Sequence, residues 1–209
     1  MAKAFTEEEK IKIREQLLKE GEEIFAKFGI KKTNIGDITE AVGIGKGSFY
    51  IFYDSKEALF MDILNHIMNE MKEHTDTYIN NKLKAEKGEI YKLFREIFGF
   101  LNARPLLMTL FSDNESVYYL HRKIPEELLE KSSQYEHNSF LSLIKILREK
   151  GLVKKDIDIK FAMALLQSIN LTYLNKELIG EKNIDNNELV CKVINMKLKW
   201  FCNWLEEEI

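Results

Sequence analysis

The sequence predicts an all-α fold, and three observations carry that prediction. The 209 residues hold only two prolines and ten glycines, so little interrupts a helix. Apolar residues recur at three- and four-residue intervals along most of the chain, the spacing that lines one helix face. No stretch alternates as a strand would, and there is no internal repeat or low-complexity tract. Hydrophobic residues make up 45% of the chain, enough for one or two domains with substantial cores.

The elements follow in order. Residues 11–28 place Ile13, Leu17, Ile24, Phe25 and Phe28 on one face, with the small Gly21 among them. Gly29 is positioned to end that helix. Asn34 is a good N-cap, and Asp37 three residues on can reciprocate, so a second helix spans about 35–42 with Ile35, Ile38 and Val42 inward. Gly43 ends it, and Ile44 fills the gap to a third helix over about Lys46 to Tyr53. Asp54 and Ser55 are capable caps for a fourth helix to about residue 80. Its stripe is Leu59, Phe60, Ile63, Leu64, Ile67, Met68 and Met71. The polar stretch 80–88 reads as a loop.

Beyond the loop the pattern gives helices at about 88–102, at 105–112 from Pro105, and at 114–121, the weakest in pattern. A long helix follows from Pro125 to Lys150, closed by Gly151. The last two are 157–180, capped by Asp156 or Asp158, and 186–208. The total is about nine helices, ten when the weak span at 114–121 is counted. The final helix is apolar over more than one face, through Val193, Ile194, Met196, Trp200, Phe201 and Trp204. A helix apolar on two sides needs a second partner, and a four-helix interface between two copies would supply it.

Net charge is −3, so a bulk basic surface is absent. Residues 24–56, however, hold five lysines against three acids, a local balance of +2. A small positive patch on an acidic body suits modest non-specific attraction to nucleic acid. Cys191 and Cys202 lie eleven residues apart on one helix, roughly 16 Å along its axis, too far to bond within it. Few cysteines, a polar start and no apolar run of about 18 residues lead to the expectation of a cytoplasmic protein without a membrane segment.

The stretch from Asn34 to Lys56 combines a short helix, a glycine turn and a second short helix whose outer face carries Lys46, Ser48 and Tyr50. This is the pattern of a helix-turn-helix, which sets one helix in the DNA major groove. KKTNIGDITEAVGIGKGSFYIFYDSKEALF, with EEIFAKFGIKKT before it, resembles the DNA-binding domain of the TetR family of bacterial transcriptional regulators. The likeness rests on Thr33, Asp37-Ile38, Gly43-Ile44, Lys46 to Tyr50, and Ser55 to Leu59, and covers roughly residues 10–70.

The resemblance implies a homodimer with a DNA-binding domain at 1–54 and a ligand-binding and dimerisation domain at 55–209. It implies double-stranded operator DNA as partner, and DNA contacts from Thr33, Asn34, Lys46, Gly47, Ser48, Tyr50, Ile51 and Lys56. Lysine can reach guanine acceptors, serine several bases, and Gly47 permits close approach to the groove. Gly45, Ile51 and Asp54 depart from the family's usual serine, polar or aromatic residue, and proline. The implied function is a repressor released from DNA by a small, largely apolar effector. The alternative is a DNA-binding activator or DNA-organising protein without a small ligand.

Pocket candidates are Phe94, Phe98, Met108, Phe111, Tyr118, Tyr119, His121 and Tyr173, which supply apolar area with a few polar tips. No metal site is expected, because no histidine pair has ligand spacing. No nucleophile elbow or dinucleotide fingerprint is present, and GIGKGS follows no strand, so neither catalysis nor a cofactor is expected.

Overall fold

A computed structural model of the chain describes residues 5–112, 114–174 and 186–206. Among the described residues there are ten helices and no strand. They are α1 (Glu7–Lys32), α2 (Ile35–Val42), α3 (Lys46–Phe49), α4 (Lys56–Asn81), α5 (Glu89–Asn102), α6 (Pro105–Ser112), α7 (Asn114–Lys123), α8 (Glu126–Glu149), α9 (Ile159–Leu174) and α10 (Asn186–Glu206). The ten correspond to the spans read from the sequence, and the one weakest in pattern, 114–121, is a full helix, α7.

Local chemistry explains most boundaries. α1 begins four residues before the periodicity suggests, because Thr6 and Glu9 form a capping box. Glu9 N donates to Thr6 Oγ1 at 3.1 Å, and Thr6 N to Glu9 Oε2 at 2.7 Å. Gly29 interrupts α1 with φ 73°, a conformation that glycine adopts without strain. Asp37 accepts from Asn34 N at 3.2 Å, and α2 ends at Gly43 with φ 76°. Ser55 caps α4 by accepting from Ala58 N at 3.1 Å, and Asp158 caps α9 by accepting from Phe161 N at 3.0 Å.

α3 is shorter than the expected span to Tyr53. Gly45 offers no side chain to cap it, and after Phe49 the backbone tightens into turns, with Ile51 N bonded to Ser48 O. The expected extensions of the last two helices to 180 and 208 reach outside the described residues.

The chain divides into two compact units, Met1–Lys72 with Leu101–Leu128, and Glu73–Phe100 with Leu129–Ile209. The first unit takes in α6 because it lies against α1, where the Thr109 hydroxyl donates to Ala26 O at 2.7 Å. This division by packing differs from the expected cut after residue 54.

The core of the first unit includes Leu17, Phe25, Ile38, Phe49, Leu59, Phe60 and Ile63, all 1% exposed or less. Phe25 and Phe60 meet edge to face at 5.2 Å between centroids. Gly21 is buried where α1 meets α4. A Cβ there would lie 3.0 Å from Ile63 Cδ1 and 3.1 Å from Leu59 Cδ2, so only glycine allows this approach without a shift. Phe28, read as inward, is 49% exposed: the buried stripe is Leu17, Gly21, Phe25, and Gly29 turns the chain immediately after Phe28.

The second unit is built on an aromatic and aliphatic cluster. Phe94 meets Phe201 edge to face at 5.3 Å, with Ile90, Leu93, Leu147, Leu198 and Leu205 around them, all buried. Cys202 is buried in this cluster and forms no disulfide. Among the described residues no helix is long and apolar enough to cross a membrane.

Candidate nucleic-acid interface

Phe49 anchors α3. It is fully buried, with Tyr50 and Tyr53 packed on it at 5.6 and 5.9 Å between ring centroids. Everything else on that short helix is turned outward or nearly so. Lys46 and Gly47 are exposed and Ser48 is partly so; beyond them Tyr50 is 53% and Ile51 59% exposed. Asn34, at the start of α2, is also exposed. Six of the eight residues expected at DNA therefore stand at the surface.

Thr33 and Lys56 are placed differently. Thr33 is 1% exposed, and both its amide and its hydroxyl donate to Gly29 O, at 3.2 and 2.9 Å. The Lys56 ammonium donates to three carbonyls where α1 ends: Ile30 O at 2.7 Å, Thr33 O at 2.8 Å and Lys31 O at 3.3 Å. The last carbonyls of a helix lack intrahelical donors, and a cation there also suits the helix dipole. Burial lowers the pKa of this lysine.

A second layer holds Lys56. Its ammonium lies 5.7 Å from the ring centroid of Tyr119 on α7, and the Tyr119 hydroxyl donates to the Glu57 carboxylate. Burial works against charge on Glu57, but the bond from Tyr119 and the charge of Lys56 outweigh it and lower its pKa. Burial and the same bond push the Tyr119 phenol up to about 12. Lys31 pairs with Glu115 of α7 at 2.5 Å.

A third polar cluster joins α1, α4 and the segment after α3. Arg14 and the Tyr53 hydroxyl both donate to Asp62 Oδ2, at 2.9 and 2.7 Å. Desolvation opposes charge on Asp62, yet these two donors lower its pKa, while burial and the carboxylate push Tyr53 up to about 12. Arg104 pairs with Glu70 and lies 3.7 Å from Glu22. Spacing along the chain gives no hint of these pairs: Tyr53 and Asp62 are nine residues apart, Arg104 and Glu70 are 34 apart, and Arg14 and Asp62 are 48 apart. The one available signal was the general need of α1's terminal carbonyls for donors.

The pocket candidates fall in both units. Phe94 and Phe98 are buried in the second unit's core. Met108, Tyr118, Tyr119 and His121 belong to the first; Tyr118 is 70% exposed, His121 is exposed, and the Tyr119 hydroxyl is committed to Glu57. The side chains of Phe111 and Tyr173 lie outside the described residues. A recess of about 90 Å³ in the second unit is lined by Ala85, Glu86, Lys87, Gly151, Leu152 and Glu206. It is smaller than the roughly 300–1,000 Å³ of a typical ligand pocket. Among the described residues no group of three or more His, Cys, Asp or Glu could hold a metal ion.

Residues 17–63 match the family described as bacterial regulatory proteins, tetR family. YhgD of Bacillus subtilis, named as an HTH-type transcriptional regulator, is 27% identical over 128 residues, covering 61% of this chain and 63% of YhgD. YerO of the same species, also named so, is 28% identical over 194 residues, covering 87% of this chain and 62% of YerO. The chain thus matches somewhat under two thirds of the length of each. In three dimensions it resembles FadR from Bacillus subtilis, solved in complex with stearoyl-CoA. The TM-score is 0.66 and identity 16%, over 91% of this chain and 98% of that one. A transcriptional regulator from Cytophaga hutchinsonii matches at TM-score 0.67 and 18% identity, over 92% and 97%. At these identities the structures speak for the fold.

Proposed function

The chain belongs to the TetR family of bacterial regulatory proteins, and from that premise we propose that it is a transcriptional repressor released from double-stranded operator DNA by a small molecule. The carrying observation is the outward face of α3, where Lys46, Ser48, Tyr50 and Ile51 surround a fully buried Phe49 inside the matched region. Lys46 would reach guanine or phosphate oxygens, Ser48 a base edge, Tyr50 a phosphate, and Ile51 a thymine methyl. Asn34 would add a contact at the start of α2, and Gly47 would leave room for the groove.

Residues 1–54 act as the reading head in this proposal, and 55–209 bind effector and join two copies. Phe161 and Leu171 on α9, with Met196 and Trp200 on α10, are 45–67% exposed, which supports a homodimer through the last two helices. Two heads would then meet half-sites about 34–36 Å apart. The stearoyl chain of the stearoyl-CoA held by FadR supports an effector with a large apolar part. A cytoplasmic location follows from the proposed task.

Gel shifts on the DNA upstream of the protein's own gene test this reading. Binding should exceed that to random DNA and fall steeply with salt. Equal binding to both at every salt concentration refutes it. Stearoyl-CoA titrated into the complex tests the effector class. A loss of affinity in the range of about 5- to 150-fold supports an acyl effector, and an unchanged complex rules that class out.

A further inference from the structure

We infer that Lys56 is a positioning residue of the DNA-reading head, one that fixes the α1–α2 junction, and that it makes no phosphate contact of its own. The inference rests on the DNA-binding reading and changes one expected member of that interface. Its basis is the ammonium's full set of partners. A lysine ammonium has three N–H donors, and here three carbonyl oxygens, of Ile30, Lys31 and Thr33, take them at 2.7, 3.3 and 2.8 Å. To meet a phosphate Lys56 would have to leave carbonyls that have few other donors available.

The surroundings reinforce that placement. Thr33, between those carbonyls and Asn34, is sealed from solvent, and its hydroxyl is committed to Gly29 O. Lys56 thus joins the first residue of α4 to the end of α1 and to the residue before the α2 cap. Glu57 is held by the Tyr119 hydroxyl, and the Tyr119 ring lies beneath the ammonium. α7, outside the helix-turn-helix itself, therefore helps to hold Lys56 in place. What Lys56 contributes to DNA affinity is the angle at which α2 leaves α1, and with it the position of α3.

Salt dependence separates the two roles, because each phosphate contact adds about 0.9 to the slope of log affinity against log salt concentration. The operator complex of the full-length protein would be titrated for wild type, Lys46→Ala, Lys56→Met, Lys56→Arg and Tyr119→Phe. Lys56→Met should lower affinity roughly tenfold with the slope unchanged. Lys56→Arg, which keeps the charge but cannot place a compact ammonium among three carbonyls, should also lose affinity. Tyr119→Phe should weaken binding to a smaller extent, again at constant slope. A slope flattened by about 0.9 in Lys56→Met and restored in Lys56→Arg would make Lys56 a phosphate contact and overturn the inference.

A measurement without DNA keeps the two readings apart. Amide hydrogen exchange at 32–37 should quicken in Lys56→Met, or in Lys56→Arg if the methionine variant does not fold. Unchanged exchange overturns the positioning role. Wild type that fails to prefer its operator overturns the regulator reading alone, and the exchange result still decides the inference.

Discussion

The two compact units hold their helices together by different means. In the first, α1, α4, α6 and α7 pack through an apolar core that is crossed by directed polar links: Arg14 and Tyr53 to Asp62, Lys56 to the end of α1, Tyr119 to Glu57, and Arg104 to Glu70. In the second, the large cluster around Phe94, Phe201 and Leu147 is apolar, and its buried acids, Glu89 and Glu206, sit at its margin on backbone amides and Lys92. Directed links such as Lys197 to Thr172 and Tyr91 to Asn195 lie outside that cluster's core. Apolar contact is strong but insensitive to direction, whereas a hydrogen bond is weaker in net terms and specifies an angle. The first unit should therefore be the better defined in geometry, and the second should supply more of the stability.

Four substitutions probe that contrast, in falling order of expected effect on stability. Phe201→Ala in the second unit should cost about 3–5 kcal/mol in urea unfolding, the range for losing a buried aromatic. A loss below about 1 kcal/mol would mean that the cluster collapses readily and is not the main support. Gly21→Val should cost about 1–3 kcal/mol by overpacking against Ile63 and Leu59. An unchanged melting temperature would show that α1 and α4 can move apart.

Asp62→Asn removes a partly exposed charge, so the expected loss is only about 1 kcal/mol. Its pH dependence is more telling. The folded Asp62 has a lowered pKa, so its contribution is present above the unfolded value of about 3.9 and is lost as pH falls through the lower folded value. The variant should lose stability less steeply than wild type below about pH 4, and parallel acid-unfolding curves would argue against the link. Lys46→Ala should change stability by no more than about 0.5 kcal/mol while weakening operator binding by about 1–3 kcal/mol. A variant that binds as wild type would remove Lys46 from the interface.

Much of the architecture was legible because it is written locally. Gly29, Gly43 and Gly151 punctuate the helices where the sequence placed them, each with positive φ, and Ser55 and Asp158 act as caps. The capping box at Thr6 and Glu9 is equally local, yet it lies before the apolar periodicity that marks the helix. Phe28 falls on the buried face by count yet is exposed, because the helix breaks at Gly29 directly after it. The outward set on α3 could be read from one helical turn. The partners of Lys56, Asp62 and Tyr119 could not, since each depends on packing between segments far apart in sequence. The pocket candidates rest on composition alone, and composition does not say which apolar side chains share a wall.

The single turn of α3 has a further consequence for how this protein can change. An isolated helix of four residues would not hold its shape in water, so its conformation is borrowed through Phe49 from the core beneath. Inside and outside alternate within that turn, and although Tyr50 also packs on Phe49, the buried anchor is Phe49 itself. If these side chains read DNA as proposed, operator preference can drift, or be re-engineered, by exchanging Lys46, Ser48, Tyr50 and Ile51 in combination while the fold is selected separately. A library randomised at those four positions should yield mostly folded members with diverse DNA preferences, whereas one randomised at Phe49 should yield few.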